Sequence, residues 1–249
     1  MALRWLLRGV AVVAVAALAL VIGYGLYSRS RQPPLAAWHT LVLQHEFSAA
    51  RDGIEFPQYL ELETLQAEEL QQGLYAHPDR VDRYALGRYN PGSPSHLAGA
   101  TQDYNRSFEL APGGVPVRGA ALLVHGLTDS PYSMRALAEY FRSRGYAVVA
   151  LRLPGHGTIP ASLGRVRWED WRAAVRLAAR HARVLAGDGP IHAAGYSTGG
   201  TLLLLHALEA LQDPSLPKLQ RLFLLSPALG VTKAAPLTEV VSLAALIPG

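Results

Sequence analysis

The segment Gly195-Tyr196-Ser197-Thr198-Gly199 constrains this chain more than any other feature, because a short apolar run (residues 191–195) leads into it and a helix-forming stretch (198–211) leads out. A serine between glycines at a strand-to-helix junction requires a sharp turn with close backbone approach, which exposes the hydroxyl at the end of the strand and puts the next N–H at a helix N-terminus. The flanking sequence agrees with such a turn. Apolar runs at 120–124 (AALLV), 146–151 (YAVVAL), 191–195 and 222–225 read as strands with helices between them, 120–124 as a buried one. Ser130-Pro131 offers an N-cap and a first-turn proline for a helix carrying Met134, Leu137, Ala138 and Phe141 on one face and stopping at Gly145. A second helix is expected over 168–185, with Trp168, Trp171 and Val175 as packing residues and Glu169 and Asp170 favourably placed in its first turn. Strands in β-α-β order predict right-handed crossovers: a mostly parallel α/β sheet with helices on both faces and its ligand site at the strands' carboxyl ends.

The amino-terminal region is of a different kind. Residues 9–26 (GVAVVAVAALALVIGYGL) are an uncharged run of 18, which as a helix at about 1.5 Å per residue just spans a bilayer core of about 30 Å. Trp5, Tyr24 and Tyr27 near its ends suit the interfacial belts. A secretory signal peptide is the competing reading, with Arg4 and Arg8 as its positive region and Gly23-Tyr24-Gly25 at the cleavage spacing; the anchor is preferred because the run is long and no Ala-x-Ala follows it. The expected organisation is a membrane anchor over 1–31, a linker and helical extension over 32–103 and an α/β body over 104–249. The anchor is read as single-pass with the body on the exported side, although two arginines on each side nearly balance the orientation count; cleavage near residue 25 would make the body secreted or periplasmic. Within the extension, Gln32-Pro33-Pro34 reads as the linker leaving the membrane. Residues 57–74 read as an amphipathic helix that turns Tyr59, Leu62, Leu65, Leu70 and Leu74 inward with acids between, and 88–95 as a turn-rich loop.

Composition removes several classes. The absence of cysteine excludes disulfides, zinc–thiolate and iron–sulfur sites. The formal charge is +4, yet Arg4, Arg8, Arg29 and Arg31 are the only charged residues before Glu46, which leaves 19 basic and 19 acidic residues in the remainder. The excess flanks one apolar segment instead of forming a basic face, so no nucleic-acid partner is expected. His39, His45, His77, His96, His181 and His192 are scattered without HExxH spacing, and neither G-x-G-x-x-G nor a Walker sequence occurs, so no metal and no nucleotide cofactor is expected.

The chemistry that a serine at such a turn can perform is acyl transfer, provided that backbone N–H groups are set to stabilise the developing oxyanion. Thr198 N–H, just after the serine, and Leu127 N–H, in the His125-Gly126-Leu127 loop that ends an earlier strand, are the fitting donors. The His125 side chain is read as a satisfied polar group that shapes this loop together with Gly126.

Residues 122–130 (LLVHGLTDS), 152–157 (RLPGHG) and 195–199 (GYSTG), in this order and spacing, resemble the α/β-hydrolase superfamily, closest to its lysophospholipase, monoacylglycerol lipase and serine aminopeptidase-like branch. The resemblance covers roughly residues 104–230. It implies an α/β-hydrolase fold, Ser197 as nucleophile on the Gly195/Gly199 elbow, and Leu127 and Thr198 as oxyanion-hole donors. It further implies hydrolysis of a small acyl ester or lipid-like substrate through an acyl-enzyme, without a cofactor.

The same resemblance implies a catalytic acid after a seventh strand and a histidine after an eighth, neither of which is in the pattern. The expectation is therefore a fold incomplete at its carboxyl end, stopping after a helical stretch at 237–246 where a lid begins, with the acid and the histidine not in the chain. After Ser197 the only acids are Glu209, Asp213 and Glu239 and the only histidine is His206, which lies about 13 Å along the helix, beyond hydrogen-bond reach. Asp213 follows the end of that helix, on the opposite side of the sheet. His125 and His156 sit on the correct face, so a makeshift Ser197–His125 dyad stays open. A serine aminopeptidase or acyltransferase on the same fold, or a non-catalytic binding protein if 249 residues are the whole product, are the other readings. The sequence does not address oligomeric state.

Overall fold

A computed structural model describes residues 2–31, 35–51, 53–77, 87–90, 92–93, 96 and 103–230. The chain divides into two compact units, 1–34 with 230–249, and 35–229. In the first, helix α1 (Ala2–Ser30) has no polar face. Within Arg4–Ser30 an 18-residue window has a mean hydropathy of 2.5 and no buried part, and the helix is long and apolar enough to cross a membrane. Near its ends the Arg8 guanidinium lies 5.5 Å from the Trp5 ring and that of Arg31 5.4 Å from the Tyr27 ring.

The second unit is built on a five-stranded sheet of order β1-β3-β2-β4-β5. The strands are β1 (Phe108–Leu110), β2 (Gly119–Val124), β3 (Tyr146–Leu151), β4 (Ile191–Tyr196) and β5 (Arg221–Leu225). β2, β3, β4 and β5 pair in parallel; β1, a short strand that the apolar pattern did not reveal, pairs antiparallel with β3. All of β2 is buried, as a central strand covered on both faces should be. A 3-10 turn (Pro131–Met134) and α4 (Arg135–Arg142) cover one face, where Met134, Ala138 and Phe141 meet Ala121, Leu123, Val148, Ala150 and Ala194. α6 (Trp168–Ala186) and α7 (Thr198–Glu209) cover the other, with Ala174, Val175, Ala178, Leu202 and Leu203 packed on Leu122, Val124, Val149 and Ala193. Short helices α2 (Ala37–Thr40) and α5 (Pro160–Leu163) complete the unit.

Two packing expectations need correction. Helix α3 (Phe56–Leu70) is followed by a π turn (Gln71–Tyr75), and its buried stripe is Phe56, Tyr59, Glu63, Gln66, Leu70 and Leu74. Leu62 and Leu65 are only half-buried; the stripe is rotated because the Glu63 carboxylate finds a cationic partner inside. Trp168 is exposed, whereas Trp171 packs and donates its Nε1–H to the Pro154 carbonyl at 2.9 Å. Asp170 accepts the Arg167 N–H at 2.8 Å and the Ala49 N–H at 2.7 Å, which caps α6 and ties the 3-10 turn Ala49–Arg51 to it. Gln32-Pro33-Pro34 and the stretch 237–246 lie outside the described residues.

Candidate active site

Ser197 stands between β4 and α7 with φ 49° and ψ −115°, in the left-handed region that a non-glycine residue adopts only under constraint. The constraint is visible on both sides. The Ser197 N–H donates to the Leu225 carbonyl of β5 at 2.9 Å, and the Ser197 carbonyl accepts the Thr201 N–H at 3.1 Å. A Cβ at Gly195 would lie 2.5 Å from the Gly200 nitrogen, and one at Gly199 would lie 2.3 Å from the Val124 oxygen and 2.4 Å from the His125 oxygen. Neither position has room for a side chain, so both glycines of the motif are steric requirements. Ser197 itself is half-buried.

The close approach of Gly199 to β2 brings the following loop beside the serine. A Cβ at Gly126 would lie 3.4 Å from the Ser197 Cβ and 2.8 Å from the Tyr196 ring. Thr128 turns the loop with φ 58°, and the Asp129 N–H reaches back to the Gly126 carbonyl at 3.4 Å. Among the described residues neither the Leu127 N–H nor the Thr198 N–H donates a hydrogen bond. Two free backbone donors thus flank a serine whose hydroxyl they do not bind, one of them at a helix N-terminus.

His125 is fully buried and both of its ring nitrogens are engaged. Nε2 accepts the Leu153 N–H at 3.0 Å, and Nδ1 lies 2.8 Å from the Gly126 carbonyl, an acceptor, so the proton is on Nδ1. Burial holds its pKa down to about 3. A Ser197–His125 dyad is thereby excluded, since a base needs a free lone pair facing the hydroxyl. Burial also lowers the His156 pKa, and its Nδ1 lies 2.9 Å from the Pro154 carbonyl, an acceptor, so Nδ1 carries a proton.

The acids and the histidine that follow Ser197 within the described residues are committed elsewhere. His206 is buried and its Nε2–H meets the Pro217 carbonyl at 3.0 Å. Glu209 is held between Arg172 at 2.7 Å and Arg176 at 2.8 Å. Asp213 accepts the Ser215 hydroxyl at 2.6 Å. Among the described residues no group of three or more His, Asp or Glu side chains is placed to hold a metal ion. A cavity of about 390 Å³ opens beside the 127–130 loop, lined by Tyr89, Thr128, Asp129, Ser130, His156 and Ile159 among others; Ser197 is not part of its wall.

The sequence reading missed a buried ion cluster on the same side of the molecule. Arg152, at the end of β3, pairs with Glu63 of α3 at 2.9 Å and with Glu46 at 3.0 Å. The one signal for it was a charged residue continuing the apolar run of β3 with no polar stretch between.

Residues 115–248, more than half the chain, match the model of a family described as serine aminopeptidase, S33. The thermostable monoacylglycerol lipase of Bacillus sp. (strain H-257) is 42% identical over 108 residues, 43% of this chain and 39% of the lipase. Phospholipase YtpA of Bacillus subtilis (strain 168) is 32% identical over 111 residues, 44% of this chain and 40% of YtpA. The matched part therefore spans about two fifths of the length of these relatives. A solved structure from work on LipS and LipT, two metagenome-derived lipolytic enzymes, aligns with a TM-score of 0.46 and 29% identity over 56% of this chain and 51% of its own. The chain belongs to the serine aminopeptidase S33 family, whose members carry the α/β-hydrolase fold.

Proposed function

We propose that this protein is a membrane-anchored serine hydrolase that cleaves carboxylic esters of lipid-like substrates through an acyl-enzyme. Ser197 attacks the ester carbonyl, the alcohol leaves, and water releases the acid from the acylated serine. The N–H groups of Leu127 and Thr198 hold the oxyanion in each tetrahedral intermediate. The acid and the histidine that complete the triad come from outside the described residues, because His125, His206, Glu209 and Asp213 are all committed to other partners. The observation that carries the reading is the strained Ser197 turn with the Gly126 backbone against it and two unengaged N–H groups at its sides. The lipase and phospholipase relatives support an ester as the bond cleaved, and the apolar helix α1 supports a single membrane pass; the body is placed on the exported side as part of the proposal.

The experiment is hydrolysis of a monoacylglycerol and of a p-nitrophenyl ester by the gene product in detergent, beside Ser197→Ala. Turnover that disappears in the variant is expected; turnover equal in both would overturn the reading. A second reading, cleavage of an aminoacyl amide, is favoured by the description of the family. Faster release from an aminoacyl p-nitroanilide than from the esters would establish it instead.

A further inference from the structure

We propose that Glu46 and Glu63, in the segment preceding the sheet, are positioning residues for the Gly126–Leu127 peptide and act through Arg152 and His125. The inference rests on the reading of the Leu127 N–H as an oxyanion donor and adds a control on that donor from a part of the chain remote in sequence. In a trans peptide the carbonyl and the following N–H point in opposite directions, so whatever holds the Gly126 oxygen aims the Leu127 N–H. That oxygen is held by the Nδ1–H of His125 at 2.8 Å. The ring in turn is fixed by the Leu153 N–H, which donates to Nε2 at 3.0 Å. Leu153 has no freedom of its own, because the residue before it is tied down at every polar atom.

Arg152 donates Nε–H to Glu63 at 2.9 Å, its two terminal nitrogens reach Glu46 at 3.0 and 3.3 Å, and Nη1 also meets the His156 carbonyl at 2.8 Å. Its backbone N–H donates to the Ser107 hydroxyl oxygen at 2.8 Å, and its carbonyl accepts the Tyr59 hydroxyl at 2.6 Å. Ser107 is in turn bound to both oxygens of Glu63, at 2.8 Å through its N–H and 2.8 Å through its hydroxyl. Glu46, Tyr59 and Glu63 all belong to the segment before the sheet. That segment thus fixes the start of the 152–156 turn through Arg152, and the turn sets the ring that aims the peptide. A buried cluster of this kind adds little net stability compared with apolar packing, but it specifies one geometry, which is what an oxyanion donor requires: a displacement of about 1 Å is worth roughly 100-fold in rate.

The test uses Glu63→Gln and, as a milder variant on a less buried residue, Glu46→Gln, in the whole chain solubilised in detergent with ¹⁵N-labelled histidine. In the unaltered protein the His125 ring should give the nitrogen resonances of a single Nδ1–H tautomer. In the variants we expect a mixture of tautomers and amide exchange at Leu153 and over 125–129 accelerated about tenfold or more, with exchange in α7 unchanged; in the gene product, ester turnover should fall about 10- to 100-fold in kcat with KM held. An unaltered tautomer in both variants, or faster exchange spread equally over α7, would overturn the proposal. The ring and exchange readouts need no turnover. If they respond while the unaltered protein shows no Ser197-dependent hydrolysis, the coupling stands and the hydrolase reading falls.

Discussion

Arg152 and Glu63 form an ion pair of 2.9 Å in which each side chain is only 1% exposed. Burial raises the Glu63 pKa against the pull of the guanidinium, while the Arg152 pKa is raised by its two carboxylates. The pair is tolerated because each charge is met, so removing one partner should be costly. Glu63→Leu is expected to lower the unfolding free energy by about 3–5 kcal/mol. Adding Arg152→Met should lose less than the sum of the two single changes, because the pair is coupled. Urea denaturation followed by circular dichroism measures both, and additivity would contradict the coupling.

The His125 ring makes stability depend on pH. Its pKa is held down to about 3 by burial, from an ordinary value of 6.5. Between those values the unfolded chain binds a proton that the folded chain does not, so the contribution is full above pH 6.5 and is lost as pH falls towards 3, at up to about 1.4 kcal/mol per pH unit. His156 and His206 are shifted the same way by burial, so the difference between the native chain and His125→Asn isolates the one ring. Asparagine keeps a donor for the Gly126 carbonyl but does not titrate. Its unfolding free energy should fall less steeply between pH 6.5 and 4; parallel curves would show that His125 is not the source.

Gly126 and Gly199 differ in what a methyl group would strike. At Gly199 it would meet the Val124 and His125 backbone oxygens, and Gly199→Ala should fail to fold to a cooperative state. At Gly126 the closest atoms belong to the Tyr196 ring at 2.8 Å, an exposed side chain that can be removed. Gly126→Ala should therefore lower Tm, and Tyr196→Ala in the same chain should restore most of it. Thermal melts of the two single variants and the double decide whether the clash is with this ring.

Strand β5 carries Phe223 at 44% and Leu225 at 47% exposure, and among the described residues it pairs on one side only, with β4. An apolar edge of this kind invites association. Leu225→Lys should reduce light scattering on warming while changing stability by no more than about 0.5 kcal/mol, since its backbone carbonyl still accepts the Ser197 N–H. Unchanged scattering would place the association elsewhere.

What the sequence made legible was periodicity and local turn chemistry. The apolar runs located β2, β3, β4 and β5, and the glycines around Ser197 located the elbow, because both depend on neighbours in sequence. The three-residue β1 carries too little pattern to stand out. The rotated stripe of α3 was illegible for a different reason: Glu63 faces inward only because Arg152, distant in sequence, is there to meet it, and no helical periodicity encodes that. Likewise the commitment of both His125 nitrogens, one of them to Leu153 just past the neighbouring strand β3, decides against a dyad that the sequence had left open.

Covalent capture asks directly whether Ser197 is the nucleophile of an acyl-transfer site. The gene product in detergent is exposed to a fluorophosphonate and its intact mass and tryptic peptides are measured beside Ser197→Ala. One adduct, mapped to Ser197 and missing from the variant, is the predicted result. No adduct at Ser197, or one that persists in Ser197→Ala, would show that Ser197 is not the nucleophile.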